Sequence, residues 1–271
     1  MSPPKRRVGI SIAIPASLVS DVPHLREKTL RIGMIGRALA IFRVDEVIVY
    51  PDIPGRDQRR DASLIRAILS YMETPQYLRR RLFKIRPELR FVGILPPLRT
   101  PHHPTENRER QLRIGEYREG AVISSDEGGA YVDIGVERPI FMPNAELKTG
   151  SRVTVKIKKK GKLLIGEIAD PEELEVYWGY KVKISGYPLS NLLRDPRYSL
   201  VIATSRRGVP IMKLADEMMD NWRSARRVLI AFGSPTQGLH EIIAQEGIEL
   251  ETLTNFIVNT VPNQGVKTIR T

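Results

Sequence analysis

The stretch that decides the fold runs from residue 228 to residue 243 and reads VLIAFGSPTQGLHEII. A second stretch of the same design, FIVNTVPNQGVKTIRT, runs from 256 to 271, and a third begins at residue 200 with LVIATSRRG. Each begins with apolar residues typical of a buried strand and continues into a loop rich in glycine, proline or polar residues. Apolar strands separated by helical segments predict a parallel sheet with helices on both faces.

The N-terminal part of the chain shows the same alternation. Val8 to Ile14, Glu46 to Tyr50 and Phe91 to Leu95 are short and apolar, and we predict three strands there. His24 to Arg43 and Asp61 to Tyr71 carry apolar residues at helical spacing, which predicts two helices. This part is therefore predicted to belong to the same α/β fold as the C-terminal stretches.

The middle of the chain has a different pattern. The segment PPLRTPHHP at 96–104 is too rich in proline for a regular element and indicates a domain boundary. From 115 to 168, short strands separated by turns predict a small antiparallel β-barrel, OB-like in size. We expect three parts: 1–96 as the first half of the α/β domain, 97–172 as an inserted barrel, and 173–271 as the second half.

Composition limits the possible functions. The 271 residues include 43 Lys and Arg against 31 Asp and Glu, a formal net charge of +12, which favours a polyanionic partner such as nucleic acid. The chain has no cysteine, which excludes disulfides, thiolate nucleophiles and cysteine-ligated metals. No apolar run is long enough for a membrane span, and Pro15 interrupts the apolar stretch after the basic N-terminus. We expect a cytoplasmic protein without a signal peptide.

Three loops are candidates for a ligand site. Ligands of open α/β sheets bind beyond the carboxyl ends of the strands, where residues 204–208, 233–238 and 260–265 are expected to lie. Neither the phosphate-binding G-x-x-x-x-G-K-[ST] motif nor G-x-G-x-x-G is present. The loops either converge on one small molecule or are ordinary turns, and spacing alone does not decide between these alternatives.

The basic residues are concentrated in two segments. Residues 56–90 hold ten Lys or Arg against four acids, and residues 152–162 hold six and no acid. These segments are either solvated faces or RNA-binding surfaces, and the net charge favours the second interpretation. His102 and His103 lack partners spaced for a metal site, so we expect their loop to touch RNA or to cap the barrel. The predicted RNA-contacting residues are Arg56, Arg59, Arg60, Arg79, Arg80, Arg81, Arg99, His102, His103, Lys156, Lys158, Lys159 and Lys160.

Several of these motifs together resemble a known family. The two C-terminal stretches resemble the trefoil-knot cofactor site of SPOUT RNA methyltransferases. The segments METPQYLRRR (72–81), RTPHHP (99–104) and VYWGY (176–180) are similar to the archaeal and eukaryotic branch whose knotted domain carries an inserted OB-like barrel. The resemblance implies S-adenosylmethionine as methyl donor, RNA as acceptor, and a homodimer with the site near the subunit interface.

The resemblance also implies which residues bind the cofactor. Family members continue past the third loop into a further helix, whereas this sequence stops at Thr271, so either it is a fragment or that last element is absent. The implied cofactor-binding residues are Thr204, Ser205 and Arg206 in the first loop, Phe232, Gly233, Ser234, Gly238 and Leu239 in the second, and Asn259, Thr260, Val261, Pro262, Gly265, Val266 and Thr268 in the third.

One N-terminal arginine is the candidate catalytic residue. The segment GMIGRALAIF, from Gly33 to Phe42, resembles the arginine motif of the ribose-methylating SPOUT branch, in which the residue matching Arg37 is catalytic or positions RNA. A guanidinium has a pKa above about 12, so binding phosphate or stabilising a developing anion fits better than acting as a base. The alternative is an ordinary solvated arginine on a helix.

The function expected from sequence is therefore S-adenosylmethionine-dependent methylation of RNA. Within the resembled branch, the acceptor is expected to be a uridine base in ribosomal RNA. Three alternatives remain open: methylation of a ribose 2′-oxygen, a non-catalytic RNA-binding or ribosome-assembly factor that keeps the fold, and an OB-type single-strand binder whose α/β part serves only to dimerise.

Overall fold

A computed structural model of the chain describes residues 3–266. Its helices are α1 (Leu25–Ile41), α2 (Arg59–Glu73), α3 (Arg79–Leu82), α4 (Leu189–Leu193), α5 (Ala215–Ser224) and α6 (Leu239–Ala244). Its strands are β1 (Gly9–Pro15), β2 (Glu46–Tyr50), β3 (Tyr117–Asp126), β4 (Gly129–Asp133), β5 (Ile140–Pro143), β6 (Arg152–Lys159), β7 (Ile165–Ala169), β8 (Lys181–Ile184), β9 (Leu200–Pro210), β10 (Arg227–Ala231) and β11 (Phe256–Asn259).

The described chain divides into two compact units. The first, here called the barrel unit, contains residues 71–87 and 97–179 together with the N-terminal residues up to Lys5. The second, the sheet unit, contains residues 6–70 and 88–96 and the chain from Tyr180 onward. Within residues 3–266, no helix is both long and apolar enough to cross a membrane.

The sheet unit is built on six parallel strands in the order β11-β9-β10-β1-β2-β8. Alternate residues of each strand enter opposite cores, as the twofold periodicity of strands requires. Val201 and Leu229 pack on one face with leucines of α4 and α6. Leu200 and Val228 pack on the other face with Trp222 of α5. The predicted parallel α/β sheet is confirmed, and β8 is a strand that the sequence analysis missed.

Strand β9 contains an excursion that forms the first of the three loops. Ala203 pairs with Ile257 of β11, but the next residue of β11, Val258, pairs with Val209. Residues 204–208 therefore leave the ladder between two consecutive pairs and return to the same strand. The loop that the sequence placed after a strand lies inside one.

Five strands of the barrel unit close into a barrel in the order β3-β4-β5-β7-β6. Its interior is filled by aliphatic side chains, among them Val122, Val132, Ile140 and Val155. The prediction of an antiparallel barrel needs one correction, because β5 and β7 pair in parallel. Strand β5 was not predicted, since its four residues are too few to show a period.

A cluster of charged side chains lies buried in the barrel unit. Arg152 of β6 bonds to Glu73, 2.5 Å from its Oε2, and also to Glu119 of β3. His102 Nε2 lies 2.9 Å from Glu73 Oε1, and Trp178 Nε1 donates to Glu119 Oε1 at 2.5 Å. Burial would raise the pKa of Glu73, but Arg152 and His102 outweigh burial and lower it to about 2. The cluster therefore holds the ionised carboxylate of Glu73 inside the protein.

The prediction of a strand from Phe91 to Leu95 is wrong. Val92–Ile94 form a 3-10 turn instead. Proline follows directly at 96 and 97, where it removes the backbone donors that a sheet ladder needs. The apolar character of the segment serves packing, because the Leu95 side chain fills the space beside Gly33, where a Cβ would lie 2.5 Å from its Cδ2.

Candidate functional site

A cavity of about 330 Å³ lies in the sheet unit beyond the carboxyl ends of β10 and β11 and against the β9 excursion. Residues of all three predicted loops line it, so the loops lie together around one cavity. Of the residues implied by the resemblance, those lining the cavity are Thr204, Ser205, Arg206, Phe232, Gly233, Ser234, Gly238, Asn259, Thr260 and Val261.

The remaining residues of the implied set lie elsewhere. Leu239 is fully buried in the core behind the second loop, where it packs with the neighbouring sheet residues. Pro262, Gly265 and Val266 belong to the exposed part of the third loop and do not line the cavity. Thr268 lies outside the described residues.

Other cavity-lining residues are not in the set implied by the resemblance. Glu241 follows His240 in the first turn of α6, and Val258 lies within β11, so neither is in a loop. The others lie in or beside the three predicted loops, and loop membership was the signal that would have found them. The residues added by the structure are Arg207, Pro235, Thr236, Gln237, His240, Glu241, Val258 and Gln264.

Hydrogen bonds hold the loops in place. Thr204 Oγ1 donates to the carbonyl of Ala231 at 2.9 Å, which joins the start of the first loop to the end of β10. Asn259 Nδ2 donates to the carbonyl of Arg206 at 3.0 Å, which joins the third loop to the first. The cavity wall is therefore a bonded framework rather than three independent turns.

Two glycines allow close approach of the backbone around the cavity. A Cβ on Gly208 would lie 2.6 Å from the carbonyl oxygen of Ile257, and a Cβ on Gly233 would lie 3.0 Å from that of Gln237. A Cβ on Gly208 would force β9 and β11 apart, because the atom that it would meet belongs to the main chain of β11. The contact at Gly233 is tight within the turn of the second loop, where Ser234 N–H donates to Gln237 O at 2.8 Å.

A chain of three polar side chains runs from the cavity to the surface. Ser205 Oγ lies 3.4 Å from His240 Nδ1, and His240 Nε2 lies 3.2 Å from Glu251 Oε1. Ser205 and His240 line the cavity, whereas Glu251 lies behind them in a 3-10 turn. Beside this chain, Arg207 bonds to Glu241 at 2.8 Å. The cavity therefore contains a histidine whose two ring nitrogens both have partners.

Arg37 is not among the residues that line the cavity. It lies on the exposed side of α1, where Leu30, Met34 and Ile41 are 46%, 64% and 63% exposed. Its neighbours at helical spacing are therefore apolar, which is unusual for a face that water alone covers. The catalytic role of Arg37 stays a prediction.

Two of the residues predicted to contact RNA are bonded to neighbouring parts of the barrel unit. His102 is fully buried and bonded to Glu73, so the prediction that it contacts RNA is wrong. Arg79 donates to the carbonyls of Thr74 and Met72 and stacks 4.8 Å over the Tyr71 ring, which gives it a structural role. The capping role left open for the histidine loop stays a prediction.

The other basic residues are more accessible. Arg56, Arg60, Arg80, Arg99 and Lys159 are exposed. Three exposed residues are in ion pairs: Arg59 with Asp57, Arg81 with Asp133 and Lys158 with Glu167. His103 is half-buried against the Leu98 carbonyl, and Lys156 and Lys160 are half-buried against the Tyr117 ring and the Leu112 carbonyl. Their contact with RNA stays a prediction.

Comparison with known proteins places the chain among methyltransferases. A model of the family described as "Putative RNA methyltransferase" matches residues 9–271. The 28S rRNA (uridine-N(3))-methyltransferases of Drosophila melanogaster and Homo sapiens are each 32% identical, over 97% of this chain and 59% and 74% of their own length. An uncharacterized protein of Halobacterium salinarum is 31% identical over 96% of this chain and 94% of its own length. The chain thus spans under two thirds of the fly relative.

Proposed function

The chain belongs to this RNA methyltransferase family, and we propose that it transfers the methyl group of S-adenosylmethionine to N3 of a uridine in ribosomal RNA. The observation that carries the proposal is the convergence of three loops on one cavity, which lies beyond the ends of β10 and β11 and against the β9 excursion. The names of the fly and human relatives supply the acceptor atom and the class of RNA.

The chemistry of the cavity lining fits the cofactor. Phe232, Val258 and Val261 offer apolar surface to a flat ring, while the hydroxyls of Ser234 and Thr260 offer polar partners. Gly233 and Gly208 let main-chain segments pack closely around the cavity, because a Cβ at either position would meet neighbouring backbone. S-adenosylmethionine combines an adenine ring, ribose hydroxyls and an amino-acid tail, and a site of mixed apolar surface and polar groups suits such a ligand.

We propose that the two units divide the work as the family resemblance implies. The barrel order β3-β4-β5-β7-β6, with β5 and β7 parallel, supports an OB-like domain over residues 97–172. The sheet order and the loop positions support a SPOUT domain, with its knot, formed by the sheet unit. The exposed Lys159 and Lys158 of β6 supply positive charge for RNA phosphates.

We also propose a homodimer. Leu30, Met34 and Ile41 are spaced so that they lie on one side of α1, and Phe42 at its C-terminal end is 65% exposed. Apolar side chains grouped on one exposed face indicate an interaction surface. A second copy covering this face would place Arg37 at the interface, where the resemblance expects the reaction to occur.

The test is a binding measurement followed by a transfer assay. We expect calorimetry to show saturable binding of S-adenosylmethionine and S-adenosylhomocysteine but not of ATP. Labelled methyl groups should then enter ribosomal RNA, and nucleoside analysis should identify N3-methyluridine. A 2′-O-methylated nucleoside would move the acceptor to the ribose. RNA binding with no cofactor binding would replace the enzyme by a non-catalytic RNA-binding factor.

A further inference from the structure

We propose that Ser205, His240 and Glu251 form the relay that accepts the N3 proton of the uridine. This inference rests on the proposed function, because it assigns residues to that reaction. Within the described part of the chain, His240 is the one histidine that lines the cavity, and the lining contains no lysine. The other carboxylate or basic groups there are Glu241, Arg206 and Arg207.

The geometry sets the direction of the hydrogen bonds. Glu251 presents a carboxylate to Nε2 of His240 at 3.2 Å, so Nε2 carries the hydrogen and donates it. In the neutral ring, Nδ1 is then the acceptor, and it faces Ser205 Oγ at 3.4 Å. The backbone N–H of Arg207 donates to the same Oγ at 3.1 Å. The serine hydrogen is therefore directed toward the histidine, and the serine oxygen has a lone pair left for the substrate.

The reaction requires such an acceptor. N3 of uridine carries a hydrogen, and its lone pair is delocalised into the two flanking carbonyls, so N3 becomes a strong nucleophile when that proton leaves. S-adenosylmethionine, when bound, supplies the methyl group: an N3–carbon bond forms as the carbon–sulfur bond breaks, and that electron pair stays on sulfur. The N3 proton passes to Ser205 Oγ while the Ser205 hydrogen passes to His240 Nδ1.

The surrounding charges suit the product of this transfer. His240 gains one positive charge, and Glu251 lies against its opposite nitrogen, where it stabilises an imidazolium. Glu241, on the same helix, is paired with Arg207 of β9, so these two charges largely offset each other. Arg206 is the remaining cation of β9 on the cavity. Because His240 is 22% exposed, the proton can leave to water after each turnover.

The main experiment compares pH–rate profiles of methyl transfer to ribosomal RNA. The wild-type rate should rise with pH and level off between about pH 5 and 8, where imidazoles change charge. The methyl-transfer rate of His240→Gln at pH 7 should be lower than that of the wild type by about a hundredfold or more, and its pH–rate profile should not level off. Glu251→Gln should move the levelling to lower pH, since the imidazolium loses its partner. His24→Gln, an exposed histidine at the start of α1, is the matched control and should match the wild type.

Two further readouts separate catalysis from cofactor binding. Nitrogen NMR of the four histidines, with His240 assigned by its absence in His240→Gln, should show hydrogen on Nε2 and none on Nδ1 at high pH. Calorimetric affinity of His240→Gln for S-adenosylmethionine should stay within about twofold of wild type. A tenfold loss of cofactor affinity in His240→Gln would overturn the relay and leave the proposed function standing. So would a pH–rate profile of His240→Gln that matches that of an active wild type. A wild type that binds cofactor but methylates no ribosomal RNA would overturn both.

Discussion

Tyr50 donates its phenolic hydrogen to the main-chain carbonyl of Phe232 at 2.6 Å. The bond ties the end of β2 to the first residue of the second cavity loop, although the two residues are 182 positions apart. Burial, with the nearby Asp52, raises the pKa of Tyr50 well above its ordinary value, so the phenol stays protonated and remains a donor. A core residue of the sheet therefore fixes the backbone of the candidate site.

Replacing this donor should affect both stability and binding. Tyr50→Phe leaves the Phe232 carbonyl without its buried partner, and we expect a loss of about 1–2 kcal/mol in the free energy of unfolding. Calorimetry should show a severalfold weaker affinity for S-adenosylmethionine. Tyr187→Phe, at a tyrosine that is 70% exposed, is the control and should change neither quantity. Equal effects of the two variants would contradict the role given to Tyr50.

Gly208 is expected to tolerate no side chain. In Gly208→Ala the added methyl group would lie 2.6 Å from the Ile257 carbonyl, so β9 and β11 must separate. Cofactor affinity should fall at least tenfold, because the first and third loops both depend on this strand pair. Gly186→Ala, where no atom lies within 4 Å of the added carbon, should bind as the wild type does. Full affinity in Gly208→Ala would show that the loops move independently.

Arg152 is expected to be essential for folding of the barrel unit. Arg152→Met leaves Glu73 and Glu119 buried without their shared cation, at an expected cost of about 3–5 kcal/mol. Arg223→Met removes an arginine whose pair with Asp220 is exposed and should cost less than about 1 kcal/mol. Urea denaturation measures both. A small effect at Arg152 would mean that water enters the cluster and solvates the carboxylates.

The same cluster predicts how stability depends on pH. The pKa of Glu73 is about 2 in the folded protein, against an ordinary value near 4.5, so the unfolded chain binds more protons between these values. Its contribution is therefore complete above about pH 4.5 and is lost as pH falls toward 2. Thermal unfolding between pH 6 and 3 should show this loss. In Glu73→Gln the slope should be smaller over the same interval, and an unchanged slope would assign it to other carboxylates.

The exposed face of α1 predicts the oligomeric state. Met34→Glu places a charge in the centre of the apolar face, and light scattering should show conversion of the proposed dimer to a monomer. Met212→Glu, at a methionine that is 81% exposed elsewhere in the sheet unit, is the control and should leave the mass unchanged. A wild-type protein that is monomeric at micromolar concentration would contradict the homodimer directly.

The main elements of the sheet could be predicted because their apolar runs are long and uninterrupted. Val228, Leu229 and the residues Val47 to Tyr50 are buried, so the sequence shows continuous hydrophobicity there. Phe91 to Leu95 has the same local composition, but Leu95 packs beside Gly33 of α1 and the following prolines prevent strand pairing. Local hydrophobicity does not distinguish these cases, since the difference lies in which partner strand is available.

The candidate site was predictable at the level of loops and not of side chains. Loop residues such as Thr204 and Asn259 line the cavity because strand ends meet at one edge of a parallel sheet. His102 and His240 are both histidines, yet His102 is bonded inside the barrel unit and His240 faces the cavity. The two histidines differ in their long-range contacts, His102 with Glu73 and His240 with Ser205. A single sequence does not show such contacts.

The β9 excursion also bears on how such a site can evolve. Residues 204–208 start and finish against two consecutive residues of β11, so their ends are fixed by the sheet whatever lies between them. The entropic cost of closing this loop arises when the sheet forms and not when a ligand binds. Apart from Gly208, the excursion can change its side chains, and hence the ligand that it recognises, without altering the order of the strands. Related proteins can thus differ in the ligand that this loop recognises while they keep the same sheet.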